Sequence, residues 1–433
     1  MPQLNPISAI RFADHGSDIS TFIAPPYDVL DEGPKQDLLS LNAQNIVGVD
    51  LPVTPPKTVG PDEAYDSAGD QFRQWLDQGV MSRDESPAVY AYEQVYKVGD
   101  QQFKRRGLFA TLTTEEFGRH GGGIHRHELT IKAGTDDRLK LMEATSAQLS
   151  PIFGIFSDPD GKVAHSLAEH FDGREPDFHG TTANDSVEHR CWRVADAGTI
   201  DELQSFFDSA DVFIADGHHR YTTALNYGKA NPANDAAGHC LFVLVAREDP
   251  GMIVLPTHRI LCGLEGFSID KLIAATEGND LVTVTKTNHG ESGLAELEAG
   301  LPEAGHHAMA LFDPATGETA LITTSGSDPL GDSHSDKPNV WRELDVAILQ
   351  HLWVKAILEP AFGGGNEINY KYTAHLDEVP DMTRVEPGRL GVIVQYTPLK
   401  SVCDVSLAGE VMPPKSTYFF PKLATGLVVN PLD

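Results

Sequence analysis

The residues best placed to do chemistry stand in one run, Asp216-Gly217-His218-His219-Arg220, directly after the apolar stretch Val212 to Ala215. The apolar residues read as a short buried strand, Asp216-Gly217 as a turn, and Thr222 to Ala230 as a helix. A strand that turns through glycine into a helix leaves backbone N–H groups at the helix start without intrahelical partners. With the helix dipole they make an anion site. Arg220 adds a forked donor suited to phosphate or carboxylate. His218 and His219 add groups that titrate near neutrality. The chemistry this suits is phosphate handling. Gly217, His219 and Arg220 would bind, His218 would stabilise transferring charge, and Asp216 would hold Mg²⁺ or act as a base. The structural alternative makes Asp216 a helix cap, the histidines surface residues and Arg220 an ion-pair partner. Adjacent histidines on a helix point in different directions, so the two are not read as paired metal ligands.

Three other stretches carry reactive side chains. His125-Arg126-His127-Glu128 follows His120 and a run of three glycines. In an extended chain His125 and His127 share a face and would take a metal with His120 or Glu128. The preferred reading makes Glu128 a general base, with His127 its neighbour or a substrate contact. A solvated His-rich loop is the alternative. Near the N-terminus, Pro25-Pro26 forces an extended path that holds Tyr27 and Asp28, candidate substrate contacts. There the alternative is a rigid turn with Asp28 as a helix cap. Near the C-terminus, Lys415-Ser416-Thr417 sets a cation and two hydroxyls behind Pro413-Pro414, a phosphate or substrate clasp whose polar face Lys422 extends as a substrate contact. It lacks the glycines of a Walker loop. The alternative is a final strand pair whose prolines set its geometry.

The elements that must position these groups follow from periodicity. A helix is predicted from Pro61-Asp62 to Gln78, with Tyr65, Ala68, Phe72, Trp75 and Leu76 at helical spacing. Ala88 to Val98 and Arg105 to Leu112 read as a hairpin around Gly99-Asp100. Asp136 to Thr145 reads as a helix, Pro151 to Phe156 as a strand, and residues 158–190 as irregular apart from a helix near Val163 to Phe171. Ile200 to Ser209 is a helix leading into the central motif. Cys240 to Ala246 and Met252 to Pro256 are apolar strands. Beyond residue 265 come helices over Phe267 to Thr276 and Gly293 to Leu301. A strand pair spans Met309 to Phe312 and Thr319 to Thr324, followed by a polar loop over 325–339. Leu344 to Leu358 is a strong helix and Leu390 to Tyr396 a strand.

Composition bounds the rest. The 433 residues are 40% hydrophobic and 22% charged, as in globular proteins of two or three domains. Lys+Arg number 33 against 63 Asp+Glu, a formal net charge of -30. That field disfavours DNA and anionic membranes as partners. The four cysteines are scattered without a CxxC, so no zinc or disulfide framework is read. No apolar run has spanning length and no signal-peptide h-region stands at the start. The expected location is the cytoplasm.

With these residues in view, the chain resembles the domain-of-unknown-function ten-fifteen family. The matches are Ala24-Pro-Pro-Tyr-Asp-Val-Leu30, His127-Glu-Leu-Thr130, Asp136-Asp-Arg138, Ile214 to Arg220, Leu344 to Leu349, Met412-Pro-Pro-Lys-Ser-Thr417 and Pro421-Lys-Leu423. The Asp216 to Arg220 run also resembles, more distantly, the phosphate box of the ParB/sulfiredoxin-like superfamily. That group includes partition proteins, sulfiredoxins and free-serine kinases. The sulfiredoxin branch needs a reactive Cys where His218 and His219 stand. The kinase branch carries an Asp-Gly-His-x-Arg box and a glutamate base. Glu128 is assigned here from its chemistry and not carried over from that branch.

The expectation is therefore an α/β (α+β) protein. A ParB/sulfiredoxin-like phosphate- or nucleotide-binding core would span 1–265. A C-terminal α/β region over 266–433 would return Lys415-Ser416-Thr417 to the same cleft. The expected activity is phosphoryl transfer from ATP or ADP, with Mg²⁺, to a small hydroxy amino acid such as serine. The alternatives are a phosphoserine phosphatase and a non-catalytic nucleotide-binding regulator.

Overall fold

Long apolar strands need cover on both faces, and that requirement sets the architecture. The structure, a computed structural model, describes residues 2–13, 17–118, 123–305 and 307–433. The chain divides into two units, Met1–Ile253 with Pro421–Asp433, and Val254–Phe420.

The main strands of the first unit are β1 (Leu4–Asn5), β2 (Val89–Val98), β3 (Gln101–Thr113), β4 (Ile124–His125), β5 (Ile152–Phe156), β6 (Phe178–Thr181), β7 (Glu188–Val194), β8 (Val212–Asp216) and β9 (His239–Ala246). Among the described residues they form one nine-stranded sheet in the order β4-β8-β5-β9-β3-β2-β7-β6, with β1 paired to β3. β8 runs parallel to β4 and antiparallel to β5, while β5 and β9 are parallel. The sheet is thus mixed, as the α/β (α+β) class implies. β2 and β3 form the predicted hairpin, with Val98 opposite Gln101 across a two-residue turn.

Helices α1 (Asp62–Asp77), α2 (Lys132–Thr145), α3 (Lys162–Phe171), α4 (Ala197–Phe207) and α5 (His218–Ala230) cover the sheet. α1 buries Tyr65, Ala68, Phe72 and Trp75, the stripe its periodicity predicts. α1 packs on α2, α2 on α5, and α3 on α4. Ile214, Tyr221, Ala224, Phe242 and Leu244 share one core cluster with Phe207. The final residues are tied into this unit, since Asn430–Pro431 pairs with Ala147–Gln148, and Thr425 bridges Ala24.

The second unit carries β10 (His258–Cys262), β11 (Val282–Thr287), β12 (Met309–Phe312), β13 (Thr319–Thr324), β14 (Asn369–Thr373) and β15 (Arg389–Ile393). Among the described residues they form an antiparallel sheet in the order β11-β13-β12-β15-β10-β14. No helix among the described residues is long and apolar enough to cross a membrane.

Several elements depart from their sequence reading. α5 begins at His218, not Thr222, because Gly217 makes the turn in a single residue. α2 begins at Lys132, four residues before the predicted acidic start. Residues 158–190 are not irregular beyond α3. They contain β6 and part of β7, whose polar residues alternate with buried ones at the sheet margin. The helix predicted from Leu344 to Leu358 starts at Asp345 and continues in π-helical turns over Leu349–Leu358.

The α1–α2 contact depends on one missing side chain. A Cβ at Gly69 would overlap the Ala144 carbonyl oxygen and lie 2.9 Å from its carbonyl carbon. Alanine outranks glycine in a helix by only ~1 kcal/mol, and a backbone overlap cannot be relieved by rotamer choice. Gly69→Ala is therefore expected to destabilise the protein by ~1–3 kcal/mol, read from the urea unfolding midpoint. An unchanged or raised midpoint would show that the two helices separate freely.

Candidate functional site

The strand–turn–helix predicted around Asp216 is present. β8 is buried from Val212 to Ala215, and its register shifts between Ile214 and Asp216 where it leaves β5. Gly217 has φ +98°, a conformation strained for any residue with a Cβ. The turn is also tight: a Cβ there would sit 3.2 Å from the Arg220 guanidinium carbon. Gly217, and not Asp216, is the capping residue, with no side-chain cap bond. Tyr221, Ala224 and Leu225 bury the underside of α5, so its opening N–H groups are held in a fixed direction.

Asp216 is the centre of an ion cluster. Its Oδ2 accepts from Arg220 Nη2 at 2.7 Å, and its Oδ1 accepts from Lys422 Nζ at 2.8 Å. Arg220 also donates to the Pro151 carbonyl. Burial alone would raise the Asp216 carboxyl pKa, but Lys422 and Arg220 hold it well below the usual range. Both Asp216 oxygens are engaged by cations. The Mg²⁺ role expected of Asp216 therefore does not fit its observed bonding. The site suits an anion.

His127 and His218 meet edge to face, ring centroids 4.6 Å apart, and the His127 N–H lies 3.4 Å from His218 Nε2. Burial lowers the His127 pKa to about 4. Burial, then the neighbouring His127, lowers that of His218 well below normal. Both imidazoles are neutral at pH 7, so His218 can hydrogen-bond to a transferring group but does not add a full positive charge. Glu128 Oε2 lies 4.0 Å from His218 Nδ1, with its side chain 38% exposed. His219 faces the start of α2, where its Nε2 accepts from the Ile131 N–H at 3.0 Å. His125 instead pairs with Asp211 at 2.9 Å and stacks on Phe213. His120 and the first two glycines of its run lie outside the described residues.

The structure adds residues that the sequence reading missed. Buried Arg138 donates to Asp137 Oδ2 at 2.8 Å and to the Asp50 carbonyl at 2.6 Å. Its guanidinium lies 3.9 Å from the Tyr27 ring centroid, so Tyr27 serves as its stacking partner. Tyr65 donates to Asp137, and Ser150 donates to Asp50 and lies 2.9 Å from Thr425 Oγ1. A cavity of about 40 Å³ lies among Asp50, Arg138, Ser150, Arg220 and Cys240. Asp137-Arg138 was visible as a charged pair inside a helical pattern. Asp50 and Lys57 carried no local signal.

Asp28 sits in a helical turn, Tyr27–Val29, capped by Pro26 and not by Asp28 itself. Its Oδ2 pairs with Lys57 Nζ at 3.1 Å, and its buried Oδ1 has no hydrogen-bond partner. Burial and Asp216 push the Asp28 pKa up, but Lys57, Arg220 and Lys422 outweigh them and lower it. Lys415, Ser416 and Thr417 belong to the second unit. There the Lys415 carbonyl accepts from Arg259 Nη2 at 3.2 Å, and the Ser416 carbonyl accepts from Thr397 at 2.8 Å.

Fold and site together define a mixed α/β protein with a strand–turn–helix reinforced by buried ion pairs. Residues 4–347 match the family described as protein of unknown function, DUF1015, and the chain belongs to that family. No curated protein matches it. Among solved structures it is similar to a mutant free serine kinase in complex with ADP, at 13% identity and TM-score 0.33, covering 70% of this chain and 89% of that one. It is also similar to C-terminally truncated SbnI from Staphylococcus aureus, at 12% identity and TM-score 0.34, covering 71% and 84%. A conserved hypothetical protein from Pyrococcus furiosus gives 16% identity and TM-score 0.30, covering 70% and 92%.

Two predictions follow the charge balance. Lys422→Met leaves a buried carboxylate with one cation fewer and is expected to cost ~3–5 kcal/mol in urea unfolding. Asp216 has a depressed pKa, so the stability it contributes is complete above its unfolded value near 3.8 and fades as pH falls below that. Lys422→Met should therefore unfold at a higher pH on acid titration, and adding Asp216→Asn should recover part of the loss.

For His127 the neutral form is the one that folding favours. Its contribution is complete above the unfolded value of 6.5 and fades as pH falls toward about 4. His127→Gln should flatten the stability profile across that window. An imidazole that titrates near 6.5 by NMR would contradict its burial.

Proposed function

We propose that this chain transfers the terminal phosphoryl group of ATP or ADP to the hydroxyl of a small hydroxy amino acid such as serine. The observation that carries this reading is the start of α5, where Gly217 aims the helix amides beside Arg220 and Lys422, which are pinned on Asp216. Phosphoryl transfer needs positioned positive charge more than covalent chemistry by the protein. The likeness of the Asp216 to Arg220 run to the free-serine kinase box supports the choice of nucleotide and acceptor.

In this reading the α5 amides and Arg220 hold the phosphate being transferred, and Lys422 fixes Asp216. The substrate hydroxyl oxygen attacks phosphorus, the bond to the departing ADP or AMP breaks, and the hydroxyl proton passes to a carboxylate. Glu128 suits that role better than Asp216, because its side chain reaches solvent and Asp216 is occupied on both oxygens. His218 donates a hydrogen bond as a neutral imidazole. Any magnesium would arrive on the phosphates of the nucleotide.

The test follows phosphorus by NMR with L-serine plus ATP or ADP, with and without Mg²⁺, and separately with phosphoserine alone. Formation of O-phosphoserine is expected. Glu128→Gln should lower kcat by ~10²–10⁴-fold with folding retained. Phosphate released from phosphoserine without nucleotide would assign the site to a phosphatase. Nucleotide binding with no turnover of either compound would make the protein a regulator and overturn the transferase reading.

A further inference from the structure

Asp28 and Lys57 form an unusual ion pair in the first unit. They come from separate segments, one stiffened by Pro25-Pro26, the other holding Lys57 at φ +64°. Both side chains are mostly covered, 21% and 23% exposed. The charges of Lys57, Arg220 and Lys422 keep the Asp28 carboxylate ionised despite its burial and the nearby charge of Asp216. One of its oxygens meets Lys57 at 3.1 Å, and the other is buried with no donor. An ionised oxygen kept from water without a donor is costly, so a ligand that brings a donor to it gains by relieving that cost.

The ligand that fits must bring a strong donor to Asp28 and an acceptor to Lys57 within a few ångströms of each other. A lone hydroxyl satisfies the first demand and leaves Lys57 unused. An ammonium and a carboxylate on one carbon satisfy both. The phosphate machinery of Arg220 and α5 remains available for the group being transferred. Resting on the transferase reading above, we propose that Asp28 and Lys57 form a clamp for the zwitterionic backbone of an α-amino acid substrate. Asp28 Oδ1 accepts from the α-ammonium and Lys57 Nζ donates to the α-carboxylate. The pair thereby sets the substrate class, while the Asp216 cluster sets the chemistry.

The test compares L-serine with its two truncated forms as phosphoryl acceptors. Ethanolamine lacks the carboxylate, and 3-hydroxypropionate lacks the ammonium. Wild type should prefer serine over each by ~10²-fold or more in kcat/KM, since a site built for a polar group rejects its absence. Lys57→Met should collapse the preference over ethanolamine. Asp28→Asn should collapse the preference over 3-hydroxypropionate. These are ratios within one preparation, so partial loss of folded protein does not alter them. Serine phosphorylation with both ratios unchanged in the variants would overturn the clamp and leave the transferase reading intact.

If none of the three compounds is phosphorylated, the transferase reading falls and the clamp is read by calorimetry with serine and glycine. Binding of both to wild type, lost in either variant, would uphold the clamp. No binding of either amino acid to wild type would overturn it.

Discussion

The pairing of Asp216 with Arg220 and Lys422 is the constraint on which the first unit's site depends. Two distant parts of the chain meet in it: the β8–α5 turn, which carries Asp216 and Arg220, and the C-terminal segment, which carries Lys422. Taking these charges out of water costs several kcal/mol per ion, and removing any one would leave the others uncompensated. The carboxylate thus serves as an anchor. It fixes two cations at a helix start.

A second layer repeats the logic. Asp50 and Asp137 hold Arg138, and Arg138 lies over Tyr27, the neighbour of Asp28. The two layers share the small cavity lined by both arginines. Buried acids and bases therefore alternate within a chain of net charge -30. That local balance lets an acidic protein offer a site to an anion. The neutral histidines His127 and His218 line it without adding charge, because burial disfavours their protonated forms.

Much of this was legible in the residues alone. The hairpin at Gly99-Asp100, the aromatic stripe of α1 and the strand pair Met309 to Thr324 follow from two- and 3.6-residue periodicities, which report burial directly. β6 and β7 were missed because their polar residues dilute the alternation. At the site, the strand–glycine–helix at Asp216 was legible because glycine and the polar run after an apolar strand mark a local geometry. The capping role considered for Asp216 was displaced by long-range partners: its carboxylate was captured by Lys422, 206 residues away in sequence.

The sequence by itself determined an α/β class, the strand–glycine–helix turn at Asp216 and an acidic net charge. These depend on neighbours in the chain or on composition. The tertiary structure decided which charges meet. It brought Lys422 to Asp216, Arg138 to Asp50 and Lys57 to Asp28, and it divided His125 from His127. Ion pairing acts over a few ångströms of space regardless of sequence separation, so no spacing in the chain encodes it.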